Sequence, residues 1–272
     1  MMMLLKYYCI IYTGKYINTI KLEERAINCL HIQYNNKKLY TDINYWHANE
    51  NGCILQEIDL STGKQKQCWL DPQYNKGWNG GIVTITRMEE SSFYARYQEV
   101  CKYIPFFSDT IIAIGKNQIE PYAVLKERDW VTSKDLSKII ENNDGGLVLQ
   151  AIADKGASYN ISSYMEWNDF ICFYYMKFHK KYFVLYNKKT GKTRITQELI
   201  NDIGYDKPWL INSFACSDEN GLYEITNMFS INRYLERVKE DGFLKKNLDK
   251  YEQLKNLPED TNPVIFYYEF KK

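Results

Sequence analysis

The sequence predicts an all-β protein built from repeated antiparallel sheets. Three observations carry that expectation: an aromatic-rich composition, a Gly-Lys turn that recurs along the chain, and strand-like runs that are apolar on both faces. Aromatic residues make up 15% of the 272-residue chain, with 24 Tyr. Tyr and Phe favour strands because a large ring lies well on a pleated surface.

The turn glycines set the rhythm. Gly14, Gly63, Gly115 and Gly191 each precede a Lys and lie between strand-like runs. The last interval is the longest and contains the insertion "DWVTSKDLSKIIENNDGG". With that removed, the repeat is about 45 residues, the length of a four-stranded propeller blade. The expected fold is therefore a β-propeller of four-stranded antiparallel blades in one domain, 1–272. Its blade-like units fall at about 7–22, 26–70, 80–127, 159–197 and 209–272, with an insertion at about 128–158 and a helical excursion at about 230–256.

Each unit reads as strands parted by polar turns. The first is only "YYCIIYTGKYINTIKL". The second gives "AINCLHIQY", "KKLYTDINYW", "CILQEIDL" and "KQKQCWL". The third gives "GIVTITRM", "SFYARYQ", "DTIIAIG" and "IEPYAVLKE", and the fourth "NISSYMEW", "DFICFYYMKF", "KYFVLYN" and "KTRIT". The fifth offers "LINSFACSD", "GLYEITNMF" and the closing run "NPVIFYYEF". "DFICFYYMKF" and "NPVIFYYEF" are apolar on both faces. A sheet with one wet face alternates apolar and polar residues, so both runs are expected to be covered on each side, as middle strands of propeller blades are.

Two helices are expected. One starts at a Thr132 or Ser133 cap and runs through Glu141 to Asn-Asn-Asp-Gly-Gly. In the other, Ile231, Tyr234, Leu235 and Val238 follow a Ser230 cap at helical spacing.

The bulk numbers exclude several classes. The formal net charge is +1, so no strong field recruits nucleic acid or anionic lipid. No stretch approaches the roughly 18 apolar residues of a membrane span. "MMMLLKYYCIIYTG" is apolar but interrupted by Lys6, and lacks the small-residue cleavage site of a secretory signal. Seven Cys form no Cys-x-x-Cys pair. Neither a zinc site nor a disulfide framework is expected from them, and most are expected to be buried free thiols.

The tripeptide Thr-Gly-Lys occurs at 13–15, 62–64 and 190–192. A phosphate-binding loop would need Gly five residues before Gly191, where Tyr186 stands. Hairpin turns are expected instead, with Gly supplying the positive φ. Asn160-Ile161-Ser162 matches a glycosylation acceptor but reads as the start of a strand. The carboxylate pairs Glu89-Glu90, Glu23-Glu24 and Glu259-Asp260 read as solvated turns. Six residues are candidate ligand contacts. Trp46 and His47 end a strand, Trp78 and Asn79 sit in the "GWNGG" loop, and Tyr94 and Arg96 lie in the apolar run "SFYARYQ", where a cation needs a partner.

The closing segment "LPEDTNPVIFYYEFKK" resembles the C-terminal signature of six-bladed β-propeller proteins of gut anaerobic bacteria, themselves similar in outline to NHL and TolB-type propellers. "YFVLYNKKTGKTRIT" and "PFFSDTIIAIGKN" resemble blade strands of the same family. The resemblance implies six blades and residence in the cell envelope or periplasm, and it is nearly silent on activity. Members usually begin with a lipoprotein signal and run well beyond this length. About four and a half to five blades are legible here, so either one or two N-terminal blades are expected to be missing or the ring is expected to close differently. If the chain is complete, its N-terminus implies a cytoplasmic protein.

The expected function is non-enzymatic binding of a protein or glycan at the mouth of the propeller channel, with no cofactor and no metal. The rival reading is an NHL-like lyase or hydrolase. That enzyme usually needs a metal near the axis, and His31, His47 and His179 are spread over separate units. A third reading is a purely structural interaction surface.

Overall fold

The computed structural model describes residues 6–10, 16–22, 29–43, 52–71, 93–95, 99–143, 147–197, 199, 216–218, 221–229, 231–232, 235–236, 252–253, 255–258 and 264–269. The chain is mostly β, as the composition predicts. Strands β1 (Lys6–Ile10) and β2 (Tyr16–Lys21) form a hairpin. Strands β3 (Cys29–Asn35), β4 (Lys38–Ile43), β5 (Leu55–Ile58) and β6 (Gln65–Trp69) then form an antiparallel sheet in chain order. The next sheet repeats the pattern with β7 (Phe93–Tyr94), β8 (Cys101–Tyr103), β9 (Thr110–Ile114) and β10 (Ile119–Val124). Another four follow: β11 (Tyr159–Glu166), β12 (Phe170–Lys177), β13 (Lys180–Asn187) and β14 (Thr193–Thr196). Strands β15 (Cys216–Ser217), β16 (Gly221–Thr226) and β17 (Val264–Glu269) make a three-stranded sheet. Within each sheet, strands adjacent in sequence lie side by side, most of them joined by short hairpins; the β16–β17 link, residues 227–263, is the long one.

The glycine rhythm has a structural meaning. Gly63, Gly115 and Gly191 each lie in the hairpin between the third and fourth strands of a four-stranded sheet. Two of these hairpins are copies of one turn. In Asp59–Lys64 the carboxylate of Asp59 accepts from the backbone N–H groups of Ser61 (2.8 Å) and Thr62 (3.0 Å), and Gly63 N–H donates to the Asp59 carbonyl at 2.8 Å. In Asn187–Lys192 the Asn187 amide oxygen accepts from Lys189 (3.0 Å) and Thr190 (2.9 Å), and Gly191 N–H donates to the Asn187 carbonyl at 2.9 Å. An Asp or Asn oxygen that captures the backbone two and three residues on starts such a turn. Gly finishes it because φ is +70° at Gly63 and +68° at Gly191, a region that a Cβ disfavours. The Thr-Gly-Lys motifs at these two sites are therefore turns. The copy at Gly14 lies outside the described residues.

Helix α1 (Ser133–Asn142) starts where the sequence predicts. Thr132 is its N-cap, and Thr132 and Asp135 satisfy each other's backbone N–H groups as a capping box, a device worth about 1 kcal/mol. Helix α2 (Val148–Asp154) was not anticipated. Residues 231–232 and 235–236 are helical within the second expected helix; 228–229 are helical too, ahead of the expected Ser230 cap, which itself lies outside the described residues.

The chain divides into two compact units, Met1–Ser162 with Met176–His179, and Ser163–Tyr175 with Lys180–Lys272. The core of the first gathers Tyr40, Ile54, Leu55, Phe93, Tyr103, Phe106, Ile114 and the inward faces of both helices through Leu136, Ile139, Val148 and Ile152. A smaller cluster joins Leu22, just after β2, to Leu39 and Ile58. In the second unit, Met228, Ile231 and Leu235 pack with Leu257, Val264 and Phe266.

Three expectations change. The third sheet takes its second strand from Cys101–Tyr103, three residues too few to show a period, while "GIVTITRM" lies outside the described residues. Ile171 to Tyr175 of β12 are buried in succession, as an apolar run on both faces requires. Its counterpart β17 is not covered on both faces. Its burial alternates, with Ile265 62% and Tyr267 37% exposed, because the face it shares with Ile225 of β16 is open to solvent. Finally, Cys53 and Cys68 form a disulfide, with Cα atoms 5.7 Å apart. The expectation against disulfides rested on spacing. The β5–β6 hairpin folds the two residues back onto each other, at the separation such bonds favour. Among the described residues, Cys101 and Cys172 are buried thiols as expected, and Cys216 is an exposed one.

Candidate functional site

The exposed face of the last sheet is the best-defined candidate. On β15, β16 and β17, Cys216, Tyr223 and Tyr267 stand opposite one another in one row, and Ile225 and Ile265 pair in another row. Residues two apart on a strand share a face, so these five side chains form one surface. Ile225 is 53% exposed, and with Ile265 and Tyr267 it gives that surface an apolar, aromatic character.

Local sequence builds this face. Gly221 opens β16, and a Cβ there would strike the Tyr268 carbonyl oxygen and come within 2.8 Å of Tyr267 Cε2. Glycine thus lets the Tyr267 ring lie across the start of β16. The Tyr223 and Tyr267 rings stack at 4.7 Å between centroids, tilted by 37°, a geometry that adds about 0.5–1.5 kcal/mol beyond area burial.

Both hydroxyls converge on Asp218 in the β15–β16 turn. Tyr223 donates to Oδ2 at 2.5 Å and Tyr267 to Oδ1 at 3.4 Å, while Gly221 N–H donates to Oδ1 at 2.9 Å. The hydrogen bond to Asp218, helped by partial desolvation and the carboxylate charge, pushes the Tyr223 phenol up to about 12. Tyr267 is raised by desolvation and then by Asp218. Both phenols therefore stay protonated at neutral pH, and the patch offers flat apolar area with a fixed carboxylate at its rim. On the opposite face, Tyr268 donates to buried Glu224 at 2.6 Å, which anchors the strand pair from behind.

Of the residues predicted as ligand contacts, Tyr94 is described. It stands opposite Lys102 on β7 and β8. The Lys102 ammonium lies 4.9 Å from the Tyr122 ring centre, 6.0 Å from that of Tyr94 and 3.8 Å from Glu99 Oε2. Tyr94 is thus one wall of a buried cation's aromatic surround. Trp46, His47, Trp78, Asn79 and Arg96 lie outside the described residues. The exposed face of β16–β17 escaped the sequence reading because its Tyr and Ile were assigned to a covered strand.

Two further ionisable groups are structural by their geometry. Asp42 accepts from both the backbone N–H (2.7 Å) and the ring Nδ1 (2.8 Å) of His31, at a register shift between β3 and β4. A carboxylate holding backbone and ring of one residue braces that irregularity. Glu57, fully within β5, receives Lys38 at 2.8 Å and Lys66 at 3.3 Å from the flanking strands.

Sheet order and the exposed face together define, among the described residues, a mostly β protein of several antiparallel sheets with an exposed aromatic face on the last one. The chain belongs to the family described as a domain of unknown function, DUF4934, whose model matches residues 4–269. Among solved structures, its fold is similar to that of a "putative exported protein" from Bacteroides fragilis. The TM-score is 0.69 at 14% identity, covering 96% of this chain and 70% of that one. At that identity the likeness concerns fold alone. No curated protein matches the chain.

Proposed function

We propose that this chain is a non-enzymatic binding module of β-propeller architecture that works outside the cytoplasm and recognises a protein or glycan. The exposed Tyr223–Ile225–Ile265–Tyr267 face carries the reading. Tyr supplies rigid amphipathic contact area at low conformational cost, which is why it is enriched where proteins bind partners.

Three four-stranded sheets formed by consecutive strands support the blade reading. The six-bladed ancestry rests on the resemblance of the closing segment to that family. The Cys53–Cys68 bond supports an oxidising compartment, since such bonds persist outside the cytoplasm and are rare within it. The similarity to a protein described as exported points the same way.

The test is retention of envelope proteins and glycans by the immobilised chain, compared with a Tyr267→Ala, Ile265→Ser variant whose melting curve is first shown to match the wild type. A partner retained by the wild type and lost by at least tenfold in the variant supports the reading. Equal retention by both removes this face from the function.

A further inference from the structure

We infer that the paired residues Thr41 and Gln56 form an internal binding site for water on the face of the β3–β6 sheet that packs toward Leu22. Thr41 on β4 and Gln56 on β5 are register partners in the two central strands of that sheet. Their side chains therefore stand side by side, at roughly 5 Å between Cβ atoms. Both residues are completely buried, at 0% exposure. The Thr41 hydroxyl, the Gln56 carbonyl oxygen and the Gln56 amide nitrogen all lack a hydrogen-bond partner.

Three orphaned polar atoms at one spot are a strong demand. A buried donor or acceptor left unsatisfied costs about 1–3 kcal/mol, and native interiors rarely leave one so. A direct bond between the two side chains does not meet the demand. The Thr41 hydroxyl reaches one end of the amide, and the other end stays orphaned. The missing partner must both donate, to the Gln56 oxygen, and accept, from its nitrogen.

The surroundings specify its chemistry. The row across the sheet runs Ile32, Thr41, Gln56, Cys68, and Leu39, Ile58 and Leu22 cluster on the same side. None of these side chains is charged, so an ion would be buried without compensation. A neutral, water-sized group with donors and acceptors matches these unpaired atoms, and buried waters typically serve polar groups otherwise unsatisfied. Nothing in the binding-module reading requires this site, and it stands without it.

The experiment is a water-exchange measurement on the intact, oxidised protein. Cross-relaxation between the Gln56 side-chain amide protons and water is expected, with the sign of a residence time beyond a nanosecond. Magnetic relaxation dispersion is expected to count at least one fewer long-lived water in the Thr41→Val, Gln56→Leu variant. A crystal structure of the wild type checks the same point independently of any variant, and density within hydrogen-bond distance of Gln56 Oε1 or Nε2 is expected. A Gln56 amide with no water cross-peak, together with protein atoms as its only partners in that crystal structure, would overturn the assignment.

Discussion

Gly63 and Gly191 occupy the same place in two copies of one turn, each the fourth residue after an Asp or Asn whose side chain has already captured the backbone. The closeness of their φ values, +70° and +68°, is a structural signature of repetition that no side chain reports. No atom lies within 4 Å of a Cβ built at Gly191, so the cost of replacing it is conformational alone. Gly191→Ala is expected to destabilise by about 1–2 kcal/mol, and Gly191→Asn by less, because Asn tolerates this region. Chemical denaturation of the three proteins measures the order.

Gly221 differs because space, not φ, requires it. Gly221→Ala is expected to push Tyr267 from its stack on Tyr223 and distort the β16–β17 pairing. The variant should lose near-ultraviolet tyrosine dichroism and, on the proposed binding role, retain a partner of the aromatic face at least tenfold less. A variant with both properties unchanged would show that the close approach at Gly221 does not hold the face.

Asp59 makes one turn pH-sensitive. Its hydrogen bonds, first to the Ser61 hydroxyl and then to the Ser61 and Thr62 backbone, hold its carboxyl near pH 2, against 3.8 for the free group. A depressed folded-state pKa means stabilisation that is full above the unfolded value and lost as pH falls through the folded one. The stability difference between wild type and Asp59→Ala should therefore be constant near neutrality and shrink between about pH 4 and pH 2. Asn187, which cannot ionise, should give Asn187→Ala a penalty that does not change over that range.

The cysteines separate by environment. Burial pushes the Cys101 thiol up to about 12 and raises Cys172 as well. The thiolate is the reactive form, so alkylation at pH 8 followed by peptide mapping should label Cys216 quickly and leave Cys101 and Cys172 unlabelled until the chain unfolds. Reducing Cys53–Cys68, which closes a separation of 15 residues, should lower stability by about 3 kcal/mol.

Buried and exposed ion pairs should differ as sharply. Glu57 serves two lysines from inside the sheet, whereas Lys189–Asp169 has a lysine side chain 73% exposed. Glu57→Ala leaves two cations without their partner and is expected to cost about 2–3 kcal/mol. Lys189→Ala should cost under about 0.5 kcal/mol. Thermal melts at two salt concentrations separate the cases.

Long strands and turn chemistry were legible in the sequence. β11 to β14 fall on the runs read from 160 to 196, since eight-residue strands show their period and Asn-x-x-Thr-Gly-Lys shows its turn. What was not legible has local causes. β8 is three residues with Lys102 at its centre, too short for a pattern. α2 begins at Leu147 without a side-chain cap, so its N-terminus gives no signal. Ile265 and Tyr267, exposed on β17, are of types that cores also use, and only what packs on that face of the sheet separates the cases. The disulfide depends on a hairpin register that spacing alone does not reveal. Of the predicted contact residues that are described, Tyr94 proved to face a cation, which composition does not disclose.

Each sheet is woven from one uninterrupted stretch of chain, and that affects how the protein comes into being. A segment of the four-stranded sheets can complete its own sheet as soon as it emerges, because its pairings are between sequence neighbours, whereas the last sheet waits for β17. For a polypeptide made from one end, this allows assembly in step with synthesis. Exposed edges are then shielded one sheet at a time, and little unpaired chain accumulates to aggregate.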